Sequence, residues 1–181
     1  MKKRCFNLAF IGRLDRHQKG LDFLTDVMKI VSERDDKFNY KLDVIGDGPY
    51  KNELIEQLSS VCNYSSNFSF CFHGWVENAS NLMSQFDLII LPSRVEGIPT
   101  VLIEAIKNKV NIVAFNIDGV NKVLGPESLV TCFDTSMMAD RIIDFCLSNI
   151  VTGYDKDYVD MLLNKDRFIS EVFDAFNLSE D

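Results

Sequence analysis

The chain has 181 residues, 46% of them hydrophobic and 25% charged, with a formal net charge of -8. That is long enough for one well-buried domain, short for two, and inside the globular range rather than the disordered one. Acids and bases are interspersed without a Lys/Arg block, which argues against a broad cationic footprint for nucleic acid or an anionic membrane; an anionic ligand would have to be held locally.

The predicted elements alternate. Residues 7–12 (NLAFIG) read as a short buried strand, followed by a helix over 21–34 with Leu21, Leu24, Val27, Met28 and Val31 on one face. A second strand spans 40–46 and a helix runs from 50 to about 62. A third strand covers 68–73 and a short helix 79–86. Residues 87–91 (DLIIL), apolar on both faces, form a fourth strand that feeds a helix over 100–108. Strands five and six are read at 111–115 and 129–133, and a helix at 136–148 turns Met138, Ile142, Phe145 and Cys146 inward. The tail keeps an apolar stripe (Tyr158, Leu162, Ile169, Val172, Phe176) and is expected to be helical. Residues 116–128 read as the least ordered stretch. Strand alternating with helix this often means a parallel sheet with helices on both faces. Ligands of such sheets bind outside the strand C-terminal ends, where strand order reverses.

Five cysteines, Cys5, Cys62, Cys71, Cys132 and Cys146, are odd in number and widely spaced. With no C-x-x-C pair and no His judged close enough for a zinc pattern, they read as free, mostly buried thiols of a reducing compartment. Met1-Lys2-Lys3-Arg4 looks like the start of a signal peptide, but charges return after only a few apolar residues. No run approaches the roughly 20 apolar residues of a membrane helix.

The residues that follow each strand carry the chemistry: GRLDRHQKG, GDGP, HGW and PSRVEGIPT. Arg13 and Lys19 are separated by a polar turn that opens a helix, so both cations can reach one point near the switch. That pairing suits a diphosphate, and equally describes two solvated bases. The turn at 97–100 offers backbone N–H groups at a helix N-terminus, where Pro99 is well tolerated. Glu96 and Glu104 are eight positions apart, roughly 12 Å along a helix and about 80° around it, so they cannot act on one atom. A long ligand with hydroxyl-rich ends flanking a phosphate pair, which is a nucleotide sugar, would span both. The plainer alternative makes Glu96 a favourable charge at a helix start and Glu104 a solvated helix residue. His17 reads as solvated or as part of the phosphate grip, His73 as structural or base-lining, and Trp75 as a partly buried aromatic.

Taken in order, GRLDRHQKG, VIGDGP, FHGW, LPS and the E-x7-E of EGIPTVLIEA resemble the C-terminal domain of retaining, nucleotide-sugar-dependent glycosyltransferases of family four (group 1, GT-B architecture), over residues 6–147. The resemblance implies one Rossmann-like, doubly wound α/β domain over 1–181, with a parallel sheet of about six strands, a core over 6–150 and a helical tail over 154–178. It implies that Arg13 and Lys19 grip the donor diphosphate and, with Glu96, form the catalytic set. Glu96 would hold the transferred sugar, helped by backbone around Gly97, Ile98, Thr100 and Val101. Glu104 would take the ribose hydroxyls, Trp75 and Val76 would border the base, and Gly46 would belong to the same donor site. The donor would be a UDP- or GDP-sugar, as in polysaccharide biosynthesis, with no cofactor and no metal; Asp155-Lys156-Asp157 has the D-x-D spacing but reads as surface.

The resemblance also implies that the acceptor-binding N-terminal domain is absent, so that a partner supplies it and transfer by this domain alone is weak or lacking. The expected location is cytoplasmic, with any peripheral contact at the inner membrane face made through that domain or partner. Two positions depart from the family pattern: Lys109-Val110-Asn111 stands for Gly-x-Pro, and residues 118–122 (DGVNK) for Gly-Gly-x-x-Glu. The alternatives are a non-catalytic nucleotide-sugar-binding or interaction module, signalled by an exposed apolar patch near 116–124 or on the tail, and a GT-B sugar epimerase. A nicotinamide-binding Rossmann enzyme is excluded, because no Gly-x-Gly-x-x-Gly follows strand one.

Overall fold

The computed structural model describes residues 3–148 and 151–164. The strands are β1 (Cys5–Ile11), β2 (Asn39–Ile45), β3 (Phe68–Gly74), β4 (Leu88–Leu91), β5 (Asn111–Phe115) and β6 (Leu129–Val130). They form one parallel sheet in the order β3-β2-β1-β4-β5-β6. Strand order reverses between β1 and β4, the topological switch point of a doubly wound sheet. The helices are α1 (Arg16–Lys19), α2 (Leu21–Arg34), α3 (Lys51–Tyr64), α4 (Thr100–Lys107), α5 (Thr135–Ser148) and α6 (Lys156–Leu163), with a 3-10 helix at Ala79–Gln85.

α2 packs against α3 and α5, while α4 packs against the 3-10 helix. With right-handed crossovers, the first three cover one face of the sheet and the other two the opposite face. β4 is buried along its whole length, which is why its sequence is a continuous apolar run rather than an alternation. The inward residues expected on α2, and Met138, Ile142, Phe145 and Cys146 on α5, all lie in the core.

Several boundaries differ from the sequence expectation. β6 has only two ladder residues, because the chain turns at Phe133, whose φ of 64° is left-handed. That turn stacks the Phe133 ring on Phe23 at 5.5 Å and sets it edge-on to Phe115. The 79–86 segment is a 3-10 helix, entered through a left-handed Asn78. The short α1 was not foreseen; it is nucleated by Asp15, whose carboxylate accepts from the Gln18 N–H. That hydrogen bond holds the Asp15 carboxyl below the usual range.

The segment at 116–128, expected to be the least ordered, is tied into the core. Ile117, Val120, Val123 and Leu124 are buried, the Leu124 N–H bonds the Val120 carbonyl, and Leu124 bridges to Tyr154. The exposed apolar patch that an interaction module would present there is therefore inside the protein. On α6 the buried residues are Val159 and Met161, with Tyr158 and Leu162 only partly covered; the remainder of the expected tail helix lies outside the described residues. The thiols are less buried than expected: Cys146 is buried, Cys62 and Cys71 are partly covered, and Cys5 and Cys132 are exposed. Burial pushes the Cys146 thiol up to about 12.

Candidate functional site

At the C-terminal edge the first three strands continue into one another's loops. The Gly12 N–H bonds the Ile45 carbonyl at 3.0 Å, and the Gly46 N–H bonds the Gly74 carbonyl at 2.8 Å. A Cβ on Gly46 would stand 1.8 Å from the Gly12 carbonyl oxygen, and its φ is +140°. Only glycine lets the β1 and β2 ends approach this closely.

Above this edge lies a cleft of about 500 Å³. Arg13, Lys19, Gly46, Trp75, Val76, Thr100, Val101 and Glu104 all line it. The loop after β1 supplies Arg13 and α1 supplies Lys19, the turn after β2 supplies Gly46, and the loop after β3 supplies Trp75 and Val76. The first two turns of α4 supply the remainder. α4 starts after Pro99 with no side-chain cap; the Leu102 N–H bonds the Pro99 carbonyl at 3.0 Å, so the positive end of the dipole and the N–H groups of Thr100 and Val101 ahead of it face the cleft. Gly97 and Ile98 do not line the cleft; they sit in an exposed turn just before it.

Glu96 reaches the cleft through Lys19. Its Oε1 accepts from Lys19 Nζ at 2.6 Å and from Ser93 Oγ at 2.6 Å. The carboxylate side chain is only 5% exposed and that of Lys19 16%. A pair this buried needs both charges, since removing one strands the other in a poorly solvated place. Arg13, by contrast, is exposed and makes no ion pair among the described residues. Among the described residues the cleft thus holds one cation without an ion-pair partner, Arg13, and one, Lys19, already neutralised by Glu96.

The turn carrying Ser93 and Glu96 is braced from α2. Arg94 donates from Nη1 and Nη2 to the two Asp22 oxygens at 2.9 and 2.8 Å, and again to the Arg16 carbonyl. Its guanidinium also lies 3.9 Å from the centre of the Phe23 ring. Burial alone would raise the Asp22 carboxyl, but the Arg94 hydrogen bonds and charge outweigh it and hold the group below the usual aspartate range. On the other side Gly119, at φ +83°, packs so that a Cβ would fall 1.7 Å from the Gly97 carbonyl oxygen. Sequence reasoning missed Ser93, Asp22 and Arg94. Ser93, three residues before Glu96, was the one signal available.

Of the other singled-out residues, Trp75 alone lines the cleft. Trp75, expected to be partly buried, is 81% exposed. His17 is exposed, while His73 pairs with Asp43 at 2.5 Å and does not line the cleft. Asp155 and Asp157 are exposed at the start of α6, where the Asp155 carboxylate caps the Tyr158 N–H. Lys122 makes an exposed pair with Asp118 at 3.4 Å, as expected of a surface turn. A larger hollow of about 680 Å³ lies between α2 and α3, on a helical face that carries neither a strand end nor a glycine turn.

A doubly wound parallel sheet with a glycine-lined, cation-bearing cleft at its switch point is the class of a Rossmann-like domain. The chain belongs to the glycosyl transferases group 1 family, whose model matches residues 5–147. It is 35% identical over 99 residues, 55% of this chain and 26% of the relative, to the Campylobacter jejuni GalNAc-alpha-(1->4)-GalNAc-alpha-(1->3)-diNAcBac-PP-undecaprenol alpha-1,4-N-acetyl-D-galactosaminyltransferase. It is 24% identical over 189 residues, 91% of this chain and 48% of the relative, to the Escherichia coli UDP-Gal:alpha-D-GlcNAc-diphosphoundecaprenol alpha-1,3-galactosyltransferase. Among solved structures, the apo form of the lipopolysaccharide outer core galactosyltransferase WaaB aligns with a TM-score of 0.74 and 18% identity, over 95% of this chain and 49% of its own; the fold is shared. The chain spans between 26% and 48% of the length of the curated relatives it matches. No helix among the described residues is long and apolar enough to cross a membrane.

Proposed function

We propose that this domain binds a nucleotide sugar, UDP-linked or GDP-linked, and forms the donor-side wall of a retaining hexosyltransferase. The observation that carries the reading is the convergence of Arg13, Lys19, Glu104 and the open end of α4 on one cleft, with Glu96 tied to Lys19 at its rim. In this reading Arg13 and the α4 amides take the diphosphate on arrival, and Lys19 turns part of its charge from Glu96 to the phosphates. As the sugar–phosphate bond breaks, negative charge grows on the diphosphate and the two cations stabilise it, which is where electrostatic preorganisation accelerates a reaction. Glu96, braced by Ser93, accepts from sugar hydroxyls; Glu104 accepts from the ribose; the exposed Trp75 offers a face to the base. A second domain or partner supplies the acceptor and closes the cleft against water.

Isothermal titration with UDP, GDP and their hexose conjugates tests this. Binding of one base series, tighter with the cation pair intact than in Arg13→Ala, is the expected result. A folded protein that takes up neither nucleotide at about 1 mM, the weakest affinity worth about 4 kcal/mol, would refute it.

A further inference from the structure

On β2 and β3, outside the donor cleft, three metal-ligating side chains of different chemistry converge. Asp43 and Cys71 are register partners across the β2–β3 pair. Between the pairs Val44–Phe72 and Ile45–Gly74, β3 carries one extra residue, His73. Such a bulge re-aims a side chain, and here it brings His73 Nε2 to 2.5 Å from Asp43 Oδ1. The three ligand atoms lie within 4.8 Å of one another.

Asp43 is 2% exposed, and both of its contacts, from His73 and from Lys41 Nζ at 2.9 Å, fall on Oδ1. A hollow of about 190 Å³ opens beside Asp43 and His73, bordered also by the polar side chains Asn7 and Gln85.

We propose that Asp43, Cys71 and His73 form a site for one soft divalent cation of the zinc class, with water from the adjoining hollow completing its shell. Thiolate, imidazole and carboxylate together are the donor set of zinc; magnesium and calcium take oxygen ligands. A tetrahedral ion holds an oxygen and a nitrogen ligand roughly 3.4 Å apart, so the Asp43–His73 hydrogen bond opens by about 1 Å as the ion enters. The half-exposed Lys41 ammonium turns to solvent. Binding displaces the thiol proton and any imidazole proton to solvent, and no electron is transferred. Cys71 and His73 stand two residues apart on one strand, and the third ligand comes from the neighbouring strand, a grouping that spacing along the sequence does not display. The site borders the cleft through the backbone: Trp75, the single tryptophan of the chain, follows His73 by two residues and lines the donor cleft. Ligation would pin the bulge from which the Trp75 loop departs.

Cobalt(II), added to the reduced 181-residue chain, is the probe. The expected result is a thiolate-to-cobalt charge-transfer band saturating at equal stoichiometry, with a Trp75 fluorescence change at the same point, both reversed by zinc. Cys71→Ser loses the band, Cys132→Ser keeps it, and His73→Asn weakens cobalt binding about tenfold or more. Far-UV circular dichroism and urea unfolding in chelator establish that the variants are folded; His73 is exposed, so its replacement keeps the test valid should Cys71→Ser unfold. The absence of a charge-transfer band in the wild-type chain overturns the site, as does a band that survives in folded Cys71→Ser or undiminished binding in His73→Asn. The three residues would then be an ion pair beside a thiol.

Discussion

At the scale of single residues, the two glutamates differ in surroundings more than in spacing. Glu96 is buried against Lys19 and Ser93, whereas Glu104 faces the cleft on a half-exposed helix position. Glu104→Ala should therefore weaken UDP and UDP-sugar alike, by about tenfold or more, the worth of one hydrogen bond to a charged group. Glu96→Ala should weaken the UDP-sugar while leaving UDP unchanged or slightly tighter, because Lys19 loses the acid that neutralises it; titration of both ligands against both variants reads this directly. Asp22 gives a pH-dependent case. Its folded-state carboxyl is held below the unfolded value, so its contribution to stability is present at neutral pH and is lost as pH falls through the folded value. Asp22→Asn should lower the unfolding free energy at pH 7 by about 1 kcal/mol, read as a lower urea midpoint, allowing for partial exposure of the pair. The gap from wild type should shrink below about pH 4, as repeated urea melts would show.

At the scale of elements, the departures from the family pattern acquire meanings that composition did not offer. Lys109 stands where the resembled family has glycine, and its φ is 57°. The Val110 N–H bonds the Ala105 carbonyl and the Lys109 N–H bonds the Ile106 carbonyl, both at 3.0 Å. This is the hydrogen-bond pattern of a left-handed helix stop, for which glycine is the preferred residue. Lys109→Gly should raise stability by about 1 kcal/mol, the steric cost of a side chain in that conformation, measured by chemical denaturation with donor affinity unchanged. The strands were legible because β1, β4 and β5 carry apolar runs over lengths set by their burial, and the first half of β2 alternates polar with apolar. β6 was read too long, since the aromatic Phe133 looks like strand and the Phe23 ring it stacks on lies 110 residues away. The 116–128 segment was misjudged for a related reason: its polar turn residues are local, whereas the hollow that receives Val120 and Val123 is built by distant elements.

At the scale of the whole molecule, the cleft is open on the side of Trp75 and Arg13, both exposed. If a second wall completes it, this chain alone should bind UDP-sugar yet transfer at least about a hundredfold more slowly than with the complementary domain of a group 1 relative added in trans. Equal rates with and without that domain would show that one wall suffices. The net charge of -8 gives the cleft cations more weight in the proposed function, since an anionic donor would approach an acidic protein and be held only where Arg13, Lys19 and the end of α4 outweigh the field.

The order of strands and helices, the glycine turns, and the gathering of acids and bases at strand ends were all determined by the sequence itself, because burial period and turn chemistry act over a few residues. Which acid meets which base was decided only by the tertiary structure. Lys19 and Glu96 lie 77 positions apart and Arg94 and Asp22 lie 72 apart; their pairing depends on β1 and β4 becoming neighbours at the switch point. Asp43 meets Cys71 and His73 through a register and a bulge that no single strand encodes. Contacts of that kind are set by sheet order and crossover hand, and those follow from packing the whole chain at once.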